Sequence, residues 1–122
     1  MEKSTKEKLF SKYIKKWVTK TYLGWWHIDV LYYSGYEFMK LDENYSIDSV
    51  AACVTNWKYL TAQIRVNSEK LEEQPEKDIE MFALHELMHI FLNEMREEGV
   101  EHEERVATIL THSFLCAEKT NG

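Results

Sequence analysis

Between residues 81 and 92 the chain reads MFALHELMHIFL, an oily run interrupted by His85, Glu86 and His89. Two demands collide there. Apolar residues surround the polar ones on every side of a helical projection, and a helix that is apolar almost all round belongs at the centre of a fold. Ionisable groups buried there without partners cost roughly several kcal/mol. One arrangement satisfies both demands. With about 3.6 residues per turn, positions i and i+4 lie about 40° apart, so His85 and His89 turn to the same side. Their imidazoles can then take two corners of a tetrahedral metal site at roughly 2.0–2.1 Å. Glu86, one residue on, is set to reach metal-activated water and act as general base. The pattern is H-E-x-x-H. The competing reading is a pair of satisfied core histidines, with Glu86 bound to a lysine or arginine.

A catalytic zinc needs a third protein ligand and keeps its fourth position open. The metzincin extension requires glycine at 92 and histidine at 95, and Leu92 and Met95 exclude it. The other solution is a glutamate on a following helix. GVEHEERVATIL offers Glu101, His102, Glu103 and Glu104. Helical phase favours Glu103, which precedes Val106, Ala107 and Leu110 by three, four and seven residues, on the inward stripe. Glu104 shares a face with Ala107 and is the alternative third ligand; His102 ranks below both. His112, two turns after Glu104, is a candidate for polarising a substrate carbonyl or orienting Glu104. His27, Tyr32, Tyr33 and Tyr59 are further candidates for stabilising an oxyanion.

The rest of the chain supplies the frame. Its 122 residues make one domain, 1–122, with 1–4 and 119–122 as loose ends. A hydrophobic share of 44% with 30% charged residues describes a soluble globular chain. The net charge of −6 argues against nucleic acid as a partner. Seven lysines in residues 1–20, against Glu2 and Glu7, read as a solvated helix face. No apolar run approaches the roughly 20 residues of a membrane span, and MEKSTKEKLF lacks the apolar core of a secretory signal. Cys53 and Cys116 read as reduced, half-buried thiols of a cytoplasmic protein.

Leu9, Phe10, Tyr13, Ile14, Trp17 and Val18 recur at helical spacing behind an S-x-x-E capping box, Ser4 and Glu7, and Gly24 ends that region. From there the period is two: Trp26, Ile28, Val30 and Tyr32 alternate with a second face. SGYEFMKL and DENYS supply turns around a short strand, and SVAACVTNWKY and LTAQIRVN read as further strands. Short connections make this a three- to four-stranded antiparallel or mixed sheet. Pro75 opens the motif helix at its first position, and the pattern runs to Glu98 and stops at Gly99. A last helix follows from Val100 to Glu118. The class is α+β. The four tryptophans, Trp17, Trp25, Trp26 and Trp57, read as core or cleft wall.

With GWWHIDV and AACVTNWKYLTAQIRVN before the motif and EHEERVATIL after it, the chain resembles minimal gluzincin-type zinc metallopeptidases. It is similar to the small phage and prophage members and, more distantly, to the ImmA/IrrE group. The likeness spans roughly residues 10 to 118, and H-E-x-x-H is its one sharp motif. It implies a zincin-like domain with one Zn2+ per chain on His85, His89 and Glu103, or Glu104 in its place, and Glu86 as catalytic base. It also implies a narrow-specificity peptidase acting on a cytosolic protein or peptide. The family's edge strand maps onto residues 61–67, which would take an extended substrate by strand addition. No lobe follows the third ligand, so the cleft would be shallow or completed by a partner. A monomer or weak oligomer is expected. Two other functions compete: a catalytically silent zincin-like binding or regulatory module, and another zinc amide hydrolase. The deformylase form of the latter needs a cysteine ligand, which Cys53 in AACVT does not resemble.

Overall fold

Ser4 and Glu7 start the first helix as their chemistry predicts. The Ser4 hydroxyl accepts from the Glu7 amide at 3.2 Å, and the Glu7 carboxylate accepts from the Ser4 amide at 2.7 Å. Each bond satisfies an amide that a helix start leaves open. In the computed structural model, which describes residues 3–93 and 103–121, this helix is α1 (Thr5–Lys20). It buries Phe10, Ile14 and Trp17.

The helix ends before Gly24. Tyr22 takes the left-handed turn at φ 58°, and the Leu23 amide reaches back to the Val18 carbonyl at 3.0 Å. This is a Schellman closure with tyrosine where glycine is the usual residue. The left-handed basin costs an L-residue roughly 1–2 kcal/mol, partly offset by glycine's larger entropy in the unfolded chain. Tyr22 is exposed, so little packing is at stake. Tyr22→Gly is therefore expected to stabilise the fold by about 0.5–1 kcal/mol in urea denaturation.

Three strands follow: β1 (His27–Tyr33), β2 (Ala51–Asn56) and β3 (Thr61–Asn67), in the order β1-β3-β2. β1 is parallel to β3 and β2 antiparallel, so the sheet is mixed. Val30, Ile64 and Cys53 lie in one cross-strand row, and Tyr32, Val66 and Ala51 in the next. Ala62, Ile64 and Val66 are buried while Gln63 faces out, the two-residue period expected of that strand. Residues 61–67 are nevertheless central. Every residue of β3 pairs with β1 and all but Asn67 pair with β2, so its backbone groups are engaged on both sides. Strand addition at 61–67 is thereby ruled out; the strand edge beside α4 belongs to β2.

Two short helices were not expected. α2 (Gly35–Lys40) occupies SGYEFMKL, where Ser34 and Glu37 form a second capping box. α3 (Ser68–Glu72) follows β3 directly, capped by the Asn67 side chain. The motif helix, α4 (Glu76–Phe91), has Pro75 as its N-cap and ends at Leu92. It therefore stops short of the expected end at Glu98 and Gly99; the expected start of the next helix at Val100 lies outside the described residues. The last helix, α5 (Glu103–Asn121), continues through residues 119–121, which read as a loose end.

α4 packs against α1, α5 and β2. Ile79, Ala83, Leu84, Leu87 and Met88 are buried along it, so the oily run is central as its pattern required. A polar clamp fixes the three long helices. Lys16 of α1 binds Glu80 of α4 at 2.5 Å and Glu118 of α5 at 2.9 Å, and the Trp17 indole donates to Glu80 at 2.8 Å. That clamp holds α5 against the motif helix. Trp17 and Trp26 are core, whereas Trp25 and Trp57 are exposed. Neither cysteine is half-buried: Cys53 is buried in the sheet and Cys116 is exposed on α5. Among the described residues no helix is long and apolar enough to cross a membrane.

Candidate metal centre

His85 and His89 lie one turn apart on α4 with ring centroids 5.0 Å apart. Facing them is the first turn of α5. The Glu104 carboxylate spans the pair, with Oε1 at 2.7 Å from His85 Nε2 and Oε2 at 3.1 Å from His89 Nε2. One ligand atom from each of these three residues lies within 4.8 Å of the others, so His85, His89 and Glu104 could hold a metal ion. Two imidazoles and one carboxylate make a donor set suited to a borderline divalent cation.

Glu103 plays a different part. Its Oε2 lies 2.5 Å from His89 Nδ1, on the side of the ring away from Glu104. Among the described residues, the group that could hold a metal takes its carboxylate from Glu104, the alternative, rather than from Glu103. Helical phase was read correctly: Glu103 is on the buried stripe, its side chain 14% exposed against 73% for Glu104. A metal site that keeps a position open must face solvent, however, and the more exposed carboxylate is the one on that side. Glu103 instead grips the far nitrogen. A proton held on Nδ1 leaves the Nε2 lone pair for a cation, the usual carboxylate–histidine arrangement behind metal ligands.

Burial is the largest influence on the His89 imidazole, which is held below its ordinary value. The Glu103 hydrogen bond and the Glu104 charge pull upward without overcoming it, and His85 adds a smaller push down. A neutral imidazole is the form that ligates. Glu86, next to His85, is buried at 6% exposure.

Two cavities meet at this group, and Ser49, Ala51, Glu86 and Glu104 line both. One of about 460 Å³ extends between α4 and α5 past Met81 and Phe82 to His112. The other, of about 410 Å³, runs beside β2 past Cys53 and His89 to Tyr45. Each is large enough to take a substrate side chain or a short stretch of backbone.

Of the remaining sequence candidates among the described residues, only His112 lines these cavities. His27 pairs with Asp29 at 3.4 Å on the exposed face of β1, and the Tyr32 hydroxyl is bound to Ser11 and to the Glu7 carbonyl. Tyr33 and Tyr59 line neither cavity, and His102 and Glu101 lie outside the described residues. Tyr45 was missed. It stacks on Phe38 with centroids 4.8 Å apart, and its hydroxyl accepts from Arg65 at 3.3 Å. Its neighbours in DENYS are turn formers, and no motif singles it out; only the fold brings it to the cavity that Glu86 and His89 also line. No protein-family model, curated protein or solved structure matches the chain.

Proposed function

We propose that the chain is a zinc-dependent peptidase with a zincin-like fold of the gluzincin type. The observation that carries this reading is the Glu104 carboxylate spanning His85 and His89, with buried Glu86 beside them at the meeting point of two cavities. A purely structural metal site has no use for an adjacent carboxylate and a solvent-facing cavity. His85, His89 and Glu104 would hold the ion, which when bound supplies Lewis acidity and makes water a stronger acid near neutral pH.

The chain's own residues account for the other steps. Glu86 takes the proton from the attacking water and passes it to the leaving amine nitrogen as the peptide bond breaks. Because Tyr45 accepts its hydrogen bond from Arg65, its own O–H remains to donate into the cavity, towards charge developing on the substrate carbonyl oxygen. Glu103 keeps the His89 ring in place throughout.

The substrate backbone would lie along the outer edge of β2. The Asn67 amide bonds to the Val50 carbonyl at 2.8 Å, which sets the alternation of this antiparallel pair. Ala52, Val54 and Asn56 then bond inward to β3, and Ala51 and Thr55 turn their amides and carbonyls to the outer edge. Among the described residues no strand pairs there. Both cavities border Ala51, so a strand added on this edge would pass the metal group.

The test is metal content. Wild-type protein purified without chelators should carry about one zinc per chain by elemental analysis, and His85→Ala should lose it. Less than about 0.1 zinc per wild-type chain would overturn the reading. Full zinc occupancy with no turnover of any peptide would favour a silent binding module instead.

A further inference from the structure

The larger cavity has a one-sided chemistry. Its apolar wall is built from Val50, Met81 and Phe82. Most of the polar groups around it offer acceptors. Thr108 donates its hydroxyl proton to the Glu104 carbonyl at 3.0 Å, and Thr111 donates to the Ala107 carbonyl at 2.7 Å. Both protons are committed along α5, so what these hydroxyls have left is lone pairs. Asp48 adds a carboxylate at the rim, 83% exposed, and Glu86 and Glu104 add two more at the metal end. Beyond the metal group, among the described lining side chains only Ser49 and His112 have an uncommitted donor.

An apolar side chain filling this space would strip water from those acceptors and return no hydrogen bond. A carboxylate would meet like charge. A long side chain with a methylene stem and several donors at its tip satisfies both parts: the stem lies on the apolar wall and the tip reaches the acceptors. Asp48 already draws such a tip. Lys70 stands 3.6 Å from it while also 3.5 Å from Glu73, a shared and exposed contact that a substrate cation displaces at small cost. The chain's net charge of −6 adds long-range attraction for a basic peptide.

We propose that this cavity seats a lysine or arginine side chain of the substrate, so that the enzyme acts next to a basic residue. The inference rests on the peptidase reading for the substrate being a peptide. Asp48 is the specificity residue at the rim, and it lies outside the metal group.

The test separates binding from cutting. The full chain carrying Glu86→Gln and loaded with zinc is titrated with alanine-rich peptides that differ at one residue: arginine, lysine, norleucine or glutamate. Arginine and lysine peptides are expected to bind roughly tenfold tighter than norleucine and tighter still than glutamate, with a preference that shrinks as salt is raised. Asp48→Lys, with its fold checked by circular dichroism, should abolish that order and favour the glutamate peptide. Equal affinity across the set, a norleucine preference, no binding at all, or an arginine preference unchanged in Asp48→Lys would each overturn the proposal. Wild-type turnover measured alongside keeps the two readings apart. Preference without cutting refutes hydrolysis and upholds the cavity's role, whereas cutting without preference does the reverse.

Discussion

Glu86→Gln is expected to bind zinc at close to the wild-type level and to hydrolyse peptides about 10²–10⁴-fold more slowly, the usual contribution of a positioned general base. The substitution is nearly isosteric, so α4 keeps its packing, and Glu86 is not one of the three residues whose ligand atoms cluster. What is lost is a group able to hold the proton of the attacking water. An amide cannot take it up, and the leaving amine then departs without a proton donor. Turnover is read by mass spectrometry of a peptide pool, and zinc by elemental analysis of the same samples. Wild-type turnover in Glu86→Gln would sink the mechanism while leaving the metal centre intact. Loss of zinc in that variant would instead show that Glu86 helps hold the ion.

What was legible before the fold was known is what depends on near neighbours in the chain. The Ser4–Glu7 box lies within four residues, and the His85–His89 pair within five, so helical geometry alone brings each together. The burial of Ile79, Leu84 and Leu87 follows from the density of apolar residues around the motif. The failures have physical causes of two kinds. Some signals were present but weak. Ser34 and Glu37 repeat the capping box, yet the helix they start is a six-residue one whose apolar stripe is too short to show a period. Tyr22 closes α1 in a conformation that glycine normally marks, so the sequence signal for the helix end lies at Gly24, two residues too late. Other features were not local at all. β3 is central because it pairs in parallel with the earlier β1 as well as with β2, a choice no residue of TAQIRVN encodes. Tyr45 reaches the site through its stacking on Phe38 and its bond to Arg65, twenty residues away. Glu103 and Glu104 fall between these kinds. Their neighbouring phases differ by about 100° of helix rotation, and deciding between them needs to know on which side of the histidines solvent lies.

Removing those two glutamates one at a time should give separable losses. Glu104→Ala takes away an oxygen from each imidazole's vicinity and leaves two protein ligands, too few to hold a zinc ion well. Glu103→Gln leaves all three ligand atoms but weakens the grip on His89 Nδ1, and loss of such a supporting carboxylate typically costs about 10–100-fold in metal affinity. Zinc affinity measured against a chromophoric chelator at constant pH should therefore fall further in Glu104→Ala than in Glu103→Gln. The pH dependence adds a second readout. In the wild type, burial lowers the His89 imidazole and Glu103 partly restores it. With that support removed, burial acts with less opposition, so protons compete for His89 only at still lower pH. Glu103→Gln should thus bind zinc more weakly at neutral pH, yet show its His89-linked loss of affinity shifted towards acid. Glu104→Ala removes the other upward influence on His89 and shifts it the same way, so the depth of the zinc loss is what separates the two variants. If Glu103→Gln instead lost zinc more completely than Glu104→Ala, Glu103 would be a direct ligand and the assignment of the two residues would reverse.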